Sequence, residues 1–307
     1  MQVQFDIEGE RVTIDVEGTI TYGDERILLA EDDDLTAGRP WEGGGYTVAP
    51  FLDPNEFRAL QDGTRRLIHA LLVDAGYRGP ETELTRLHEV AAEFPECYAA
   101  MIETVRKCFE TSLFPIDTRL VESRISEICG KPLTAFSPSL AASVFCLRVT
   151  RPHSNDNNPL HRDVWLDRLR NAVNIYVPLA GSNEGSSLPI VPGSHRWKES
   201  DIERTASGAL VNGVAFTVPA VTGARKELRA IRPNPRENEV LVFSPYLIHG
   251  GAVNLNPDMT RVSLEMRFWR QGGGVRLADA EPQSTQAGPP ASADYTAASE
   301  PIADTNS

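Results

Sequence analysis

From residue 143 to residue 269, apolar side chains recur at every second position in eight short runs, and this period constrains the fold more than any other feature. The runs are SVFCLRV (143–149), HRDVWL (161–166), NAVNIYVPL (171–179), SLPIV (187–191), GVAFTV (213–218), ELRAI (227–231), EVLVFS (239–244) and RVSLEMRFW (261–269), with loops rich in Gly, Pro and Asn between them. Alternation at period two turns one face of each run to a core, and none is long enough for an ordinary helix. Eight short strands leave exposed edges unless the sheet is rolled on itself. The expected core is therefore a double-stranded β-helix, or jelly roll.

Ahead of residue 143 the period lengthens. In FLDPNEFRAL, Asp53 can cap a helix with Pro54 at its first position and Glu56 closing a capping box, which predicts a helix over about 54–75. Helical spacing continues over 83–94, 97–111 and 118–129, the last ended by Gly130 and Pro132. Residues 3–29 alternate again, broken at Gly9, Gly18 and Gly23. The expected class is mainly β with flanking α: a small acidic β appendage at 1–34, a jelly-roll domain with a helical N-terminal part at 45–272, and a tail at 277–307. The tail is Pro, Ala, Ser and acid with few large apolar residues, which predicts disorder.

The net charge of −13 sits at the ends, with eleven acids against Arg11 and Arg26 in residues 1–34 and five acids without a base in 277–307. The near-neutral body has no basic stripe, so nucleic acid is not an expected partner. No apolar run is long enough to span a membrane and MQVQFDIEGE is unlike a signal peptide, so no membrane partner and a cytoplasmic location are expected. Cys97, Cys108, Cys129 and Cys146 form no Cys-x-x-Cys pair and are read as buried thiols.

In NNPLHRDVWLD, His161 and Asp163 are two apart, which on a strand points both to one face. His249 directly follows the seventh run, and in a rolled sheet the second and seventh strands can be neighbours. Two imidazoles and one carboxylate would then meet, the donor set of non-haem iron(II). His69 and His88 lie in helical segments among apolar residues and are read as structural, His195 in the turn VPGSHRW is a rival ligand, and His153 is placed to meet a substrate. If the chain reverses near Leu255, Arg261 becomes a cross-strand neighbour of His249, a few ångströms from the metal. Its planar fork, with the Ser263 hydroxyl, could hold the far carboxylate of 2-oxoglutarate, and Arg267 is the next candidate. Asn174 and Tyr176 share a face of the third strand, where they would either touch 2-oxoglutarate or bond inside the core.

The stretches GGGYTVAPFLDPNEF, LHRDVWLD, EGSSLPIVPGSH and SPYLIHGGAVNLNPDMTRVSLEMRF resemble the phytanoyl-CoA dioxygenase family of iron(II)- and 2-oxoglutarate-dependent oxygenases, over roughly residues 45–270. That resemblance implies His161, Asp163 and His249 as iron ligands, Arg261 as the 2-oxoglutarate anchor, and His195 as no ligand. It also implies oxidation of a substrate C–H by O₂ with release of succinate and CO₂. Family members that halogenate carry a small residue in place of the carboxylate, so Asp163 points to hydroxylation, although desaturation, epoxidation or ring closure would use the same iron. The family often has Ser two residues after its last His, where this chain has Gly251. Arg151, Arg196, Lys198, Arg204, Arg225 and Lys226 on loops at the expected mouth would suit a small anionic substrate, and solvated loop charge explains them equally well. The competing readings are a non-catalytic jelly-roll module that binds a ligand or metal, and a cupin-like metalloenzyme that needs no 2-oxoglutarate.

Overall fold

The longest alternating runs become the strands that carry the molecule. In the computed structural model, which describes residues 1–154, 159–251 and 253–272, one antiparallel sheet runs in the order Tyr46–Pro50, Glu239–Phe243, Ala172–Ala180, Arg261–Arg270, Ala142–Thr150, Phe109–Glu110. Its outer face is apolar. Val173, Ile175, Val177, Val262, Leu264, Met266 and Phe268 pack there with Phe57, Leu60, Ile68, Met101, Val121 and Ile125 of the helices. The alternate positions Asn174, Tyr176, Arg261, Ser263, Glu265 and Arg267 therefore point to the inside of the roll.

The helices follow their local signals. Pro54–Asp74 starts at Asp53, whose side chain accepts from Asn55 and Glu56 backbone N–H groups while Glu56 returns the bond, and Thr118–Cys129 ends on Gly130 in the left-handed region, at φ 65°. The region predicted as a helix at 97–111 is Pro95–Val105 instead. It stops early because Phe109–Glu110 pairs with Ala142–Thr150 as an edge strand. There Cys108 and Cys146 form a disulfide, not two thiols; Cys97 and Cys129 are free.

The second layer of the roll is less regular than its sequence pattern. The region predicted as a strand at 161–166 is a single bridge, His161 to His249, followed by a 3-10 turn at Asp163–Trp165. Pairing ends there because Asp163 N–H donates to the Pro245 carbonyl, 3.1 Å away, and Arg162 turns into the interior to pair with Glu199 and the Ser194 carbonyl. The run at 187–191 is reduced to bridges from Ile190 to Ile231 and His249. Those at 213–218 and 227–231 shorten to Val214–Phe216 and Arg229–Ala230.

The N-terminal alternation forms the strands Gln2–Ile7 and Glu10–Glu17. They lie inside a five-stranded sheet, between Ala209–Val211 and Arg229–Ala230. Val3, Phe5, Ile7 and Val16 are buried against Leu160, Val191, Ile202 and Ile248, so this segment backs the layer that carries both His161 and His249. No helix among the described residues is long and apolar enough to cross a membrane. The tail expected at 277–307 lies outside the described residues.

Candidate metal centre

His161 and His249 reach each other because their backbones bond in both directions, His161 N–H to the His249 carbonyl at 2.9 Å and His249 N–H to the His161 carbonyl at 3.0 Å. The 3-10 turn then brings the Asp163 carboxylate beside both rings. His161 Nε2 is 3.2 Å and His249 Nε2 is 3.7 Å from Asp163 Oδ1. All three side chains are buried, and one ligand atom from each lies within 4.8 Å of the others.

Proton positions follow from the other ring nitrogens. His161 Nδ1 is 2.8 Å from the Pro159 carbonyl and His249 Nδ1 is 2.9 Å from the Leu247 carbonyl; a carbonyl can only accept, so both Nδ1 atoms carry the hydrogen. Each ring therefore turns Nε2 toward Asp163. Burial, with a smaller contribution from His161, pushes the His249 pKa down to about 4, so that ring is neutral at pH 7. His161 Nε2 is bonded to Asp163 Oδ1, and two imidazole nitrogens and one carboxylate oxygen converging on one point are a donor set that suits iron(II).

Asp163 is oriented by its other oxygen. Oδ2 accepts from Asn174 Nδ2 at 2.9 Å and from Arg267 Nε and Nη2 at 3.1 and 2.9 Å, which leaves Oδ1 for a metal. Burial, the largest single influence, would raise this carboxyl, but the Arg267 guanidinium together with the His161 hydrogen bond and the two imidazoles holds the group well below the usual carboxylate range. Arg267, named in the sequence as a second-choice anchor, is thus a clamp on the carboxylate. Its signal was legible in outline, since it shares the strand face of Arg261 and Ser263.

Arg261 is not a cross-strand neighbour of His249. The loop after His249 crosses to the other sheet, so Arg261 pairs with Thr150 on Ala142–Thr150. It is buried, donates from Nη1 to the Ser186 carbonyl at 3.0 Å and from Nη2 to Thr150 Oγ1 at 2.9 Å, and keeps an unpartnered Nε. Ser263 Oγ, two positions along the same face, is also buried without a partner. Two orphaned donors on one wall fit the carboxylate of a dicarboxylic co-substrate. Asn174 and Tyr176 both face inward, but Asn174 is committed to Asp163, and the Tyr176 hydroxyl lies 2.8 Å from Ser182 Oγ.

The other histidines stand apart from this cluster. His195 Nε2 donates to the Glu42 carbonyl at 2.9 Å and its ring closes on Gly45, where a Cβ would lie 2.6 Å from Nδ1. His88 Nδ1 is 3.1 Å from Thr260 Oγ1, His69 packs edge-on to Tyr77, and His153 is an exposed loop residue at φ 53°. Gly251 has φ +68° and a Cβ there would meet the Phe5 ring at 3.3 Å, so a side chain at this position, where the family often has Ser, would be strained and crowded by the N-terminal strand. The loop cations are engaged with the protein: Arg196 with Glu42, Lys198 with Glu25, Arg204 with Glu199, Lys226 with Asp201, Arg225 over Tyr22 and Arg151 over Tyr98. They do not form a ring of unmatched positive charge.

A rolled double sheet holding two imidazoles and a carboxylate, with a buried arginine further along its inner wall, defines the non-haem iron(II) and 2-oxoglutarate-dependent oxygenases. Residues 41–263 match the family model described as Phytanoyl-CoA dioxygenase (PhyH), and the chain belongs to that family. Among solved structures, it is similar to apo EctD from S. alaskensis, with 15% identity over 83% of this chain and 85% of that one and a TM-score of 0.43. It is also similar to AviO1 from Streptomyces viridochromogenes Tue57, with 18% identity over 76% of this chain and 93% of that one and a TM-score of 0.41. A third similar structure is SnoN, a non-haem α-ketoglutarate-dependent epimerase from nogalamycin biosynthesis, with 13% identity over 80% and 90% of the two chains and a TM-score of 0.41. No curated protein matches the chain.

Proposed function

We propose that the protein hydroxylates an unactivated C–H bond of a small organic molecule, consuming O₂ and 2-oxoglutarate and releasing succinate and CO₂. The observation that carries this reading is the convergence of two imidazoles and one carboxylate on a single buried point. With both Nδ1 atoms bonded to carbonyls and Asp163 Oδ2 to Arg267 and Asn174, the atoms turned to that point are His161 Nε2, His249 Nε2 and Asp163 Oδ1, within 4.8 Å of one another.

His161, Asp163 and His249 would hold iron(II), which with 2-oxoglutarate supplies the O₂-dependent oxidation of the substrate C–H. Arg261 Nε and Ser263 Oγ bind the far carboxylate of 2-oxoglutarate and so orient it along the inner wall. Arg267 and Asn174 keep Asp163 ionised and hold its outer oxygen. Phe243, whose ring centroid is 5.0 Å from that of His249, and the apolar side chains around it keep water from that side of the site. The presence of Asp163, instead of a small residue, favours hydroxylation.

The test uses labelled O₂ with iron(II) and 2-oxoglutarate. One labelled atom should appear in succinate and one in the oxidised substrate, and His249→Ala should form neither product. Succinate formation by His249→Ala at the parent rate would overturn the reading.

A further inference from the structure

One charged pair on the inner wall is used neither by the donor triad nor by the 2-oxoglutarate anchor. Arg148 and Glu265 face each other diagonally across neighbouring strands, with Nη2 3.0 Å from the Glu265 carboxylate. Both point inward, because their strand neighbours Leu147, Leu264 and Met266 lie in the outer core under the helices. In register, Glu265 is opposite Tyr176, and the next inward pair along the strands is Arg267 with Asn174, the two residues that clamp Asp163. Same-face positions on a strand are about 7 Å apart, so the ion pair stands one side chain from that clamp.

Exposure separates this pair, with the neighbouring Arg267 at 16%, from the sealed part of the wall. Tyr176, Arg261 and Ser263 are buried, whereas the Arg148 and Glu265 side chains keep 19% and 24% of their surface. The inner wall opens to solvent at this point. Ser263, whose hydroxyl lacks a partner, is directly opposite Arg148 in register.

Resting on the 2-oxoglutarate reading above, we propose that Arg148 and Glu265 are a substrate-binding pair and that the substrate is a zwitterion, a small amino-acid-like molecule carrying a carboxylate and a protonated amine. A half-open ion pair can exchange its mutual contact for two contacts to a ligand of opposite charges, the guanidinium taking the carboxylate and Glu265 the ammonium. No charge is left unmatched in that exchange. A purely anionic ligand would take Arg148 and strand Glu265 beside it, and a purely cationic one would strand Arg148, at the cost that attends an uncompensated charge in a protected site. The loop cations, each already engaged, do not shift this balance toward an anion.

The test compares proteinogenic and cyclic amino acids with their desamino acids and their decarboxylated amines. Binding is read anaerobically as a change in the visible band of the iron–2-oxoglutarate chelate, and turnover in air as succinate formed above the substrate-free rate. At least one zwitterion should perturb the band and stimulate turnover, with its acid and its amine each at least 10-fold weaker in kcat/KM. Glu265→Gln, which keeps the shape, should lower the preference of the enzyme for the zwitterion over its desamino acid by about 10- to 100-fold. Equal response to the desamino acid, an unchanged preference in Glu265→Gln, or weaker 2-oxoglutarate binding without a change in that preference would overturn the assignment. A chain that forms the chelate and responds to no zwitterion also overturns it while leaving the 2-oxoglutarate reading intact. A chain that forms no chelate overturns that reading itself.

Discussion

Asp163 owes its orientation to Arg267. The aspartate is fully enclosed, and Arg267 is the cation that balances it in the metal-free protein. Replacing Arg267 with Leu leaves a buried carboxylate without its counter-charge, a change that costs about 3–5 kcal/mol in comparable buried pairs. Thermal unfolding of the metal-free variant should show that loss, and iron(II) should restore much of it because the ion supplies the missing positive charge; equal losses with and without iron would contradict the clamp. A second residue gives a pH signature away from the metal. Burial lowers the pKa of His195 below its ordinary 6.5, with Arg196 adding to the effect against the Glu42 carbonyl. Below pH 6.5 the unfolded chain then binds more protons than the folded one, so the contribution of this group is complete above 6.5 and is lost as pH falls through the folded value. Melting temperatures across pH 5–7 should fall more steeply for the parent than for His195→Gln, and parallel curves would exclude the effect. The ligand types could be read from the sequence. Of the clamp only the inward strand position of Arg267 could be read, since nothing local says that residue 267 faces residue 163.

At the scale of elements, the strands at 142–150, 172–180, 239–243 and 261–270 were legible because both their faces are committed, one to the helices and one to the interior. The run at 161–166 has the same alternation and is not a strand, because Arg162 is drawn inward by Glu199 and Asp163 is drawn aside by the Pro245 carbonyl. Tertiary partners there outweigh local pattern. The edge strand Phe109–Glu110 was hidden for a similar reason: its helical spacing is overridden by pairing to Ala142–Thr150 and by the Cys108–Cys146 bond. A crosslink between residues 38 apart restricts the unfolded chain by about 4 kcal/mol on the loop-entropy estimate. Denaturant unfolding of the oxidised parent and of Cys108→Ser should differ by up to that amount, and identical midpoints would mean that the bond does not form in solution.

For the whole molecule, the informative surprise is where the chain begins. The alternation in residues 2–17 was legible as strands, but its partners, Ala209–Val211 and Arg229–Ala230, are about two hundred residues away and no local signal names them. Four side chains of this hairpin, Val3, Phe5, Ile7 and Val16, are buried behind the layer that holds His161 and His249. At about 1.5–3 kcal/mol each, their burial is comparable with the entire stability of an ordinary domain. Deletion of residues 1–17 should therefore abolish cooperative unfolding as followed by circular dichroism, and a truncated chain that melts like the parent would show that the hairpin is dispensable. The same roll that recruits this hairpin also carries Arg261 away from the strand of His249 and buries it on the opposite wall with its Nε unpartnered. The central claim is that this wall and the triad together hold iron and 2-oxoglutarate, and anaerobic titration of 2-oxoglutarate into the iron-loaded protein tests it most directly. Arg261→Leu should weaken binding by about 10- to 150-fold while iron stoichiometry is unchanged, and Arg261→Lys should recover part of the loss. An iron-loaded Arg261→Leu protein that binds 2-oxoglutarate as tightly as the parent would contradict the account.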